Sequence, residues 1–273
     1  MLKARFLTAV VLIPVFIALF VTLPPRGFAI FTGLIVVLGA FEWSQFLGLN
    51  NFPRSLFFPF LMIACLFLSL FLLFHHYLAI PNIMIVAFIW WLFVAVWVLL
   101  YPRGSNAWDK SIIIKGVMGI MTLTPCWLAL NFLRDLPHGL PILFILLALI
   151  WGADTGAYFA GKAVGKHKLL PNVSPGKTWE GFLGAMLSTL IVIGFVIYFF
   201  KISENQWLPL LILGYVTVIF SILGDLFESM LKRAAGIKDS GKILPGHGGI
   251  LDRIDSLTSA TPVFALGVIL LGG

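Results

Sequence analysis

The run from Ser229 to Ser256 holds five basic residues (Lys232, Arg233, Lys238, Lys242 and Arg253), three aspartates (Asp239, Asp252 and Asp255) and His247, with glycines between them. An ordinary connection between helices needs only a few polar residues. Lysine and arginine bind phosphate directly, whereas a carboxylate does so only across a divalent cation. Basic charge alone would serve equally to orient a membrane protein or to hold anionic headgroups. The interleaved acids and glycines favour a site that handles phosphates together with a metal.

Just upstream, Asp225, Glu228, Ser229 and Lys232 stand at i, i+3, i+4 and i+7, so on a helix they share one face. That face either feeds the basic loop or contains a structural ion pair between Glu228 and Lys232. Asp154 lies between Gly152 and Gly156, which let a helix or a ligand approach the backbone closely. Glu42 stands alone in an apolar run, where packing or snorkelling explains it as well as catalysis does. Carboxylates at bilayer depth cost about 3 kcal/mol on insertion scales, so they usually face a wet cavity or a partner. A further candidate is Ser174-Pro175-Gly176-Lys177-Thr178, a turn with a lysine and two hydroxyls ahead of a helix start, which suits phosphate. It ends like a Walker loop, but Pro171 stands where that motif needs glycine, so it is not one.

The elements that must position these residues are apolar. The chain is 60% hydrophobic and 11% charged, against about a quarter charged in soluble domains. Lipid must therefore be part of its solvent, and the long continuous runs point to helices rather than a membrane barrel. Nine apolar segments are expected, near 6–23, 27–48, 55–74, 78–100, 112–133, 139–161, 179–200, 207–230 and 256–273. The first carries a charged head like a signal peptide's but ends in Pro24-Pro25-Arg26 without a small-residue cleavage site, so it is expected to be retained. The fold class is thus an all-α polytopic bundle of about nine transmembrane helices with a cytoplasm-facing polar cavity. One membrane domain spans 1–273, with 1–135 as scaffold and 136–273 carrying the chemistry. Cys65 and Cys126 both lie in apolar runs and read as packing residues.

With the N-terminus in the cytoplasm, 15 of the 18 Lys and Arg residues, Lys3 and Arg5 included, fall on the cytoplasmic side. Only Arg26, Arg134 and Lys201 fall outside. That asymmetry follows the positive-inside rule and puts the basic loops where nucleotides are available.

In order, the Lys-Arg, Lys-Asp, Pro-Gly-His-Gly-Gly and Asp-Arg-Ile-Asp elements between Ser229 and Asp255 resemble the signature of phosphatidate cytidylyltransferases, or CDP-diacylglycerol synthases. The resemblance extends to residues 174–181, to Gly-Ala-Asp-Thr-Gly-Ala-Tyr around Asp154, and to Gly224-Asp225. The N-terminal half is similar in character only. The resemblance implies that CTP and phosphatidate give CDP-diacylglycerol and pyrophosphate with Mg²⁺ in the cell inner membrane, where a two-metal site would clamp the attacking and leaving oxygens. It implies Asp225 and Asp252 as first metal ligands, with Asp154, Glu228, Asp239 and Asp255 supporting them. Lys177, Lys232, Arg233, Lys238, Lys242 and Arg253 would neutralise phosphates. Ser174, Thr178, Gly248 and Gly249 would contact the nucleotide, and His247 would touch a phosphate or serve structurally. A homodimer is implied by the resemblance alone, and no nucleic-acid partner is expected.

Two rival enzymes share the nucleotide problem, a CTP-dependent lipid kinase and a cytidylyltransferase of another lipid phosphate. An ion-coupled transporter is a more distant alternative, because it predicts inverted repeats and midplane acids that the sequence does not display.

Overall fold

A computed structural model describes residues 14, 17–49, 51–243, 246 and 248–272. Lys3, Arg5, His247 and most of the first expected span lie outside the described residues. Eight helices among the described residues are long and apolar enough to cross a membrane. They are α1 (Pro25–Trp43), α2 (Phe57–Phe74), α3 (Ile80–Leu100), α4 (Ile112–Asp135), α5 (Gly139–Val164), α6 (Trp179–Phe200), α7 (Trp207–Ala234) and α8 (Leu251–Leu270). They match the second to ninth expected segments.

The helix starts follow local chemistry. Pro25 opens α1, where a missing N–H costs nothing. The Ser111 side chain accepts from the Ile114 amide at the head of α4, and the Thr178 side chain does the same from Gly181 at the head of α6. The last segment begins earlier than expected. Asp252 and Asp255, placed by the sequence in the preceding loop, sit in the first turns of α8. An acid in a first turn meets the positive end of the helix dipole.

Helix α8 is the hub, packing against α7, α4, α3, α5 and α1. Helices α5 and α6 form the other close pair. Outward faces of α2 and α3 carry exposed Phe67, Phe71, Phe93 and Leu99, as a lipid-facing surface requires. Inside, Trp43, Trp91 and Phe227 form an aromatic knot from α1, α3 and α7. At one end of the bundle the Trp43 indole donates to the Lys115 carbonyl at 2.9 Å, joining the close of α1 to the opening of α4. At the other end Arg134 donates to the Leu23 carbonyl at 3.2 Å. Cys126 is buried, Cys65 is half-buried and both are free.

One element was not expected. Residues 168–170 (β1) and 174–178 (β2) form an antiparallel hairpin between α5 and α6, with Lys168 opposite Thr178 and Leu170 opposite Ser174. It adds a small cap to an otherwise helical bundle.

Candidate active site

The site is built where α7 and α8 cross. A Cβ at Gly224 would collide with the Ser259 hydroxyl and the Asp255 carbonyl, so only glycine lets the two helices approach there. This close crossing brings the acidic face of α7 against the first turns of α8.

Lys232 is the centre of the first cluster. Its ammonium lies 2.9 Å from Glu228 Oε2 and 2.6 Å from Asp252 Oδ1. The three side chains are 14%, 5% and 8% exposed. The helical ion pair between Glu228 and Lys232 is thus present, and the same ammonium also reaches α8. Asp252 is held further by the Gly249 amide, which donates to Oδ2 at 2.7 Å, and by the Ser240 amide at 3.1 Å. Charges so deeply desolvated persist only when paired and hydrogen-bonded.

The second cluster joins the hairpin to α7. Lys177, on β2, places its ammonium 2.8 Å from Asp225 Oδ2, and the Ser229 hydroxyl donates to Asp225 Oδ1 at 3.3 Å. The hairpin is anchored from its far side by Glu180 in the first turn of α6. Its carboxylate lies 2.7 Å from the His167 ring and accepts the His167 amide. Asp154 on α5 lies on an open face beside Asp225 and Lys177. Asp255 faces Asp225 and Glu228 from α8.

Five carboxylates therefore share one neighbourhood with two ammonium groups. Glu228 and Asp255 lie within side-chain hydrogen-bond reach of each other, two carboxyl groups side by side. An excess of carboxylates over ammonium groups, with two carboxyl groups in contact, fits a hard divalent cation. No three His, Cys, Asp or Glu side chains among the described residues are grouped closely enough to cage one. Mg²⁺ does not need such a cage, because it is commonly held by one or two carboxylates together with substrate phosphates.

The remaining expected residues divide by position. Arg233, Lys238, Asp239, Lys242 and Arg253 are exposed, and Ser174 is half-buried on β2. Thr178 is buried and its hydroxyl caps α6. Gly248 adopts φ +83°, and a Cβ there would press on Asp252 Oδ2. Gly249 serves Asp252 through its amide. Two residues from the N-terminal half also arrive: Gln45 donates to the Ser240 carbonyl at 2.9 Å, and Glu42 accepts the Leu251 amide at 2.8 Å. Only the oddity of an acid in an apolar run signalled Glu42 in the sequence, and nothing there signalled Gln45 or Ser240.

Residues 3–271 match the model of the cytidylyltransferase family. A phosphatidate cytidylyltransferase of Pseudomonas aeruginosa is 42% identical over 97% of the chain and 96% of its own length. One from Haemophilus influenzae is 38% identical over 97% of the chain and 98% of its own length. One from Staphylococcus haemolyticus is 35% identical over 62% of the chain and 74% of its own length. With both its lysine–carboxylate clusters inside the matched span, the chain belongs to the cytidylyltransferase family.

Proposed function

We propose that the protein condenses CTP with phosphatidate to give CDP-diacylglycerol and pyrophosphate. The observation that carries this reading is the meeting of Lys177–Asp225 with Glu228–Lys232–Asp252 at one end of a lipid-facing bundle, in a chain so similar to phosphatidate cytidylyltransferases along its length.

Both reactants are polyanions, and bringing them together is the main electrostatic obstacle. An oxygen of the lipid phosphate forms a bond to the α-phosphorus of CTP, while the bond from that phosphorus to the bridging oxygen breaks and pyrophosphate leaves. The attacking group needs no general base, since a phosphate monoester with a second pKa of ~6 is largely ionised near neutrality. What it needs is alignment and charge compensation. An ammonium has three donors. Lys177 spends one on Asp225 and keeps others for phosphate, while Asp225 fixes where it points. Lys232 spends two on Glu228 and Asp252. Arg233, Lys238, Lys242 and Arg253, all exposed, would add further positive charge for the nucleotide. Arginine can grip a phosphate through two parallel donors, and lysine acts more as a point charge.

Asp225 and Asp252 would hold Mg²⁺, with Asp154, Glu228 and Asp255 nearby. When bound, the ion would neutralise the phosphates and polarise the reacting phosphorus. The site would face the cytoplasm across the inner membrane, as the distribution of basic residues favours. The lipid would reach it sideways from the bilayer, keeping its tails among the helices.

The test is purified protein in detergent with CTP, phosphatidate and Mg²⁺, assayed for pyrophosphate. Release that requires both substrates supports the reading, and release that ignores phosphatidate contradicts it.

A further inference from the structure

Glu42 is 1% exposed and ends α1, far in sequence from the clusters it adjoins. Its Oε2 accepts the Leu251 amide at 2.8 Å and the Ser240 hydroxyl at 3.3 Å. These two residues bracket the loop that precedes α8. From within that bracket the Ser240 and Gly249 amides hold Asp252. The loop is shaped around the same carboxylate, since a Cβ at Gly241 or at Gly249 would collide with Glu42. Gly249 has no positive φ, so its lack of a side chain answers to space and not to backbone conformation. Gln45, one turn on, adds a bond to the Ser240 carbonyl at 2.9 Å.

The platform beneath is tied to two neighbouring segments. Trp43 is buried and tied to Lys115, and the buried Ser44 hydroxyl donates to the Ser55 carbonyl at 2.8 Å. Among the described residues no lysine, arginine or histidine forms an ion pair with Glu42. Its task is therefore to accept hydrogen bonds at a fixed point.

We infer that Glu42 is a positioning residue of the active site, a carboxylate from the N-terminal half that clamps both ends of the loop before α8 and so sets the orientation of Asp252. The inference rests on the proposed role of Asp252, and it gives the N-terminal helices a part in the chemistry beyond scaffolding. Removing a group that orients a catalytic carboxylate typically costs 10–100-fold in activity.

The test compares wild type, Glu42→Ala and Glu42→Gln in detergent by turnover, amide hydrogen exchange and thermal melting. Glutamine keeps an acceptor oxygen in place, so E42Q should retain turnover within about fivefold and normal exchange. E42A should lose about a hundredfold in kcat, with KM for phosphatidate little changed. Its amide exchange should quicken over residues 238–252 and stay unchanged in α5 and α6. Wild-type turnover by E42A would overturn the inference. So would equal loss in both variants with exchange quickened throughout the bundle, since that describes a merely structural residue. An inactive wild type would instead count against the proposed reaction, and the exchange pattern would still judge the clamp.

Discussion

Lys177 Nζ lies 2.8 Å from Asp225 Oδ2, a contact that ties a hairpin between two helices to the middle of a third. The lysine is 25% exposed and the aspartate 32%, so the pair is reachable by a ligand yet only partly screened by water. In this setting an ion pair aims two opposite charges at the same small volume.

Asp225→Asn should lower kcat/KM by about a thousandfold, to a residual rate that can still be measured, while leaving the protein inserted and monodisperse. Lys177→Met should lower kcat/KM by about a hundredfold, the scale for losing one preorganised electrostatic contact. Because the two residues act on each other, the double variant should be little worse than the poorer single one. Effects that simply add in a double-mutant cycle would separate the pair functionally.

Lys232 invites a stability test. It is the ammonium between two buried carboxylates, and removing one member of such a set leaves uncompensated charge worth about 3–5 kcal/mol. Lys232→Met should therefore lower the melting temperature in detergent by about 10 °C. Adding Glu228→Gln should recover part of that loss without restoring activity. A melting temperature equal to wild type would mean that the buried cluster is hydrated.

Two glycines of α6 should behave in opposite ways. A Cβ at Gly184 would collide with Ala160 and with the Gly156 carbonyl of α5, whereas one at Gly194 meets nothing within 4 Å. Gly184→Ala should cost about 1–3 kcal/mol through overpacking and should disturb Asp154 on the partner helix. Gly194→Ala should leave activity unchanged and raise stability by up to about 1 kcal/mol through helix propensity. Thermal melts of the two variants check both statements.

The proposed orientation predicts where Lys238 is reachable. A cysteine there should react with a membrane-impermeant maleimide in inverted vesicles and not in intact spheroplasts. Cys65 and Cys126 lie within spans, which should keep background labelling low.

The spans were legible because hydropathy is a local property, and runs such as Phe57–Phe74 leave no other solution. The pairing of Glu228 with Lys232 was legible too, since a helix puts residues four apart on one face. The hairpin was not. Ser174-Pro175-Gly176-Lys177-Thr178 has no apolar alternation, so β2 has no sequence signature. Nor could spacing reveal that Lys177 meets Asp225, a contact made by the hairpin lying on α7, or that Lys232 reaches Asp252, which depends on the close crossing of α7 and α8 at Gly224. Thr178 shows the converse: a hydroxyl beside a lysine suggested phosphate, and the fold uses it to cap α6. Glu42 could be seen as an acid in an apolar run, but its partners around Ser240 and Leu251 lie at the far end of the chain.

Which piece of CTP ends up on the lipid distinguishes cytidylyl transfer from phosphoryl transfer. Purified protein should be given phosphatidate, Mg²⁺ and CTP labelled either at the α-phosphate or at the γ-phosphate, and the lipid extracted. Cytidylyl transfer puts α-label in the lipid, matched mole for mole by pyrophosphate carrying the γ-label. Lipid that carries γ-label instead, or no label from either, would contradict it.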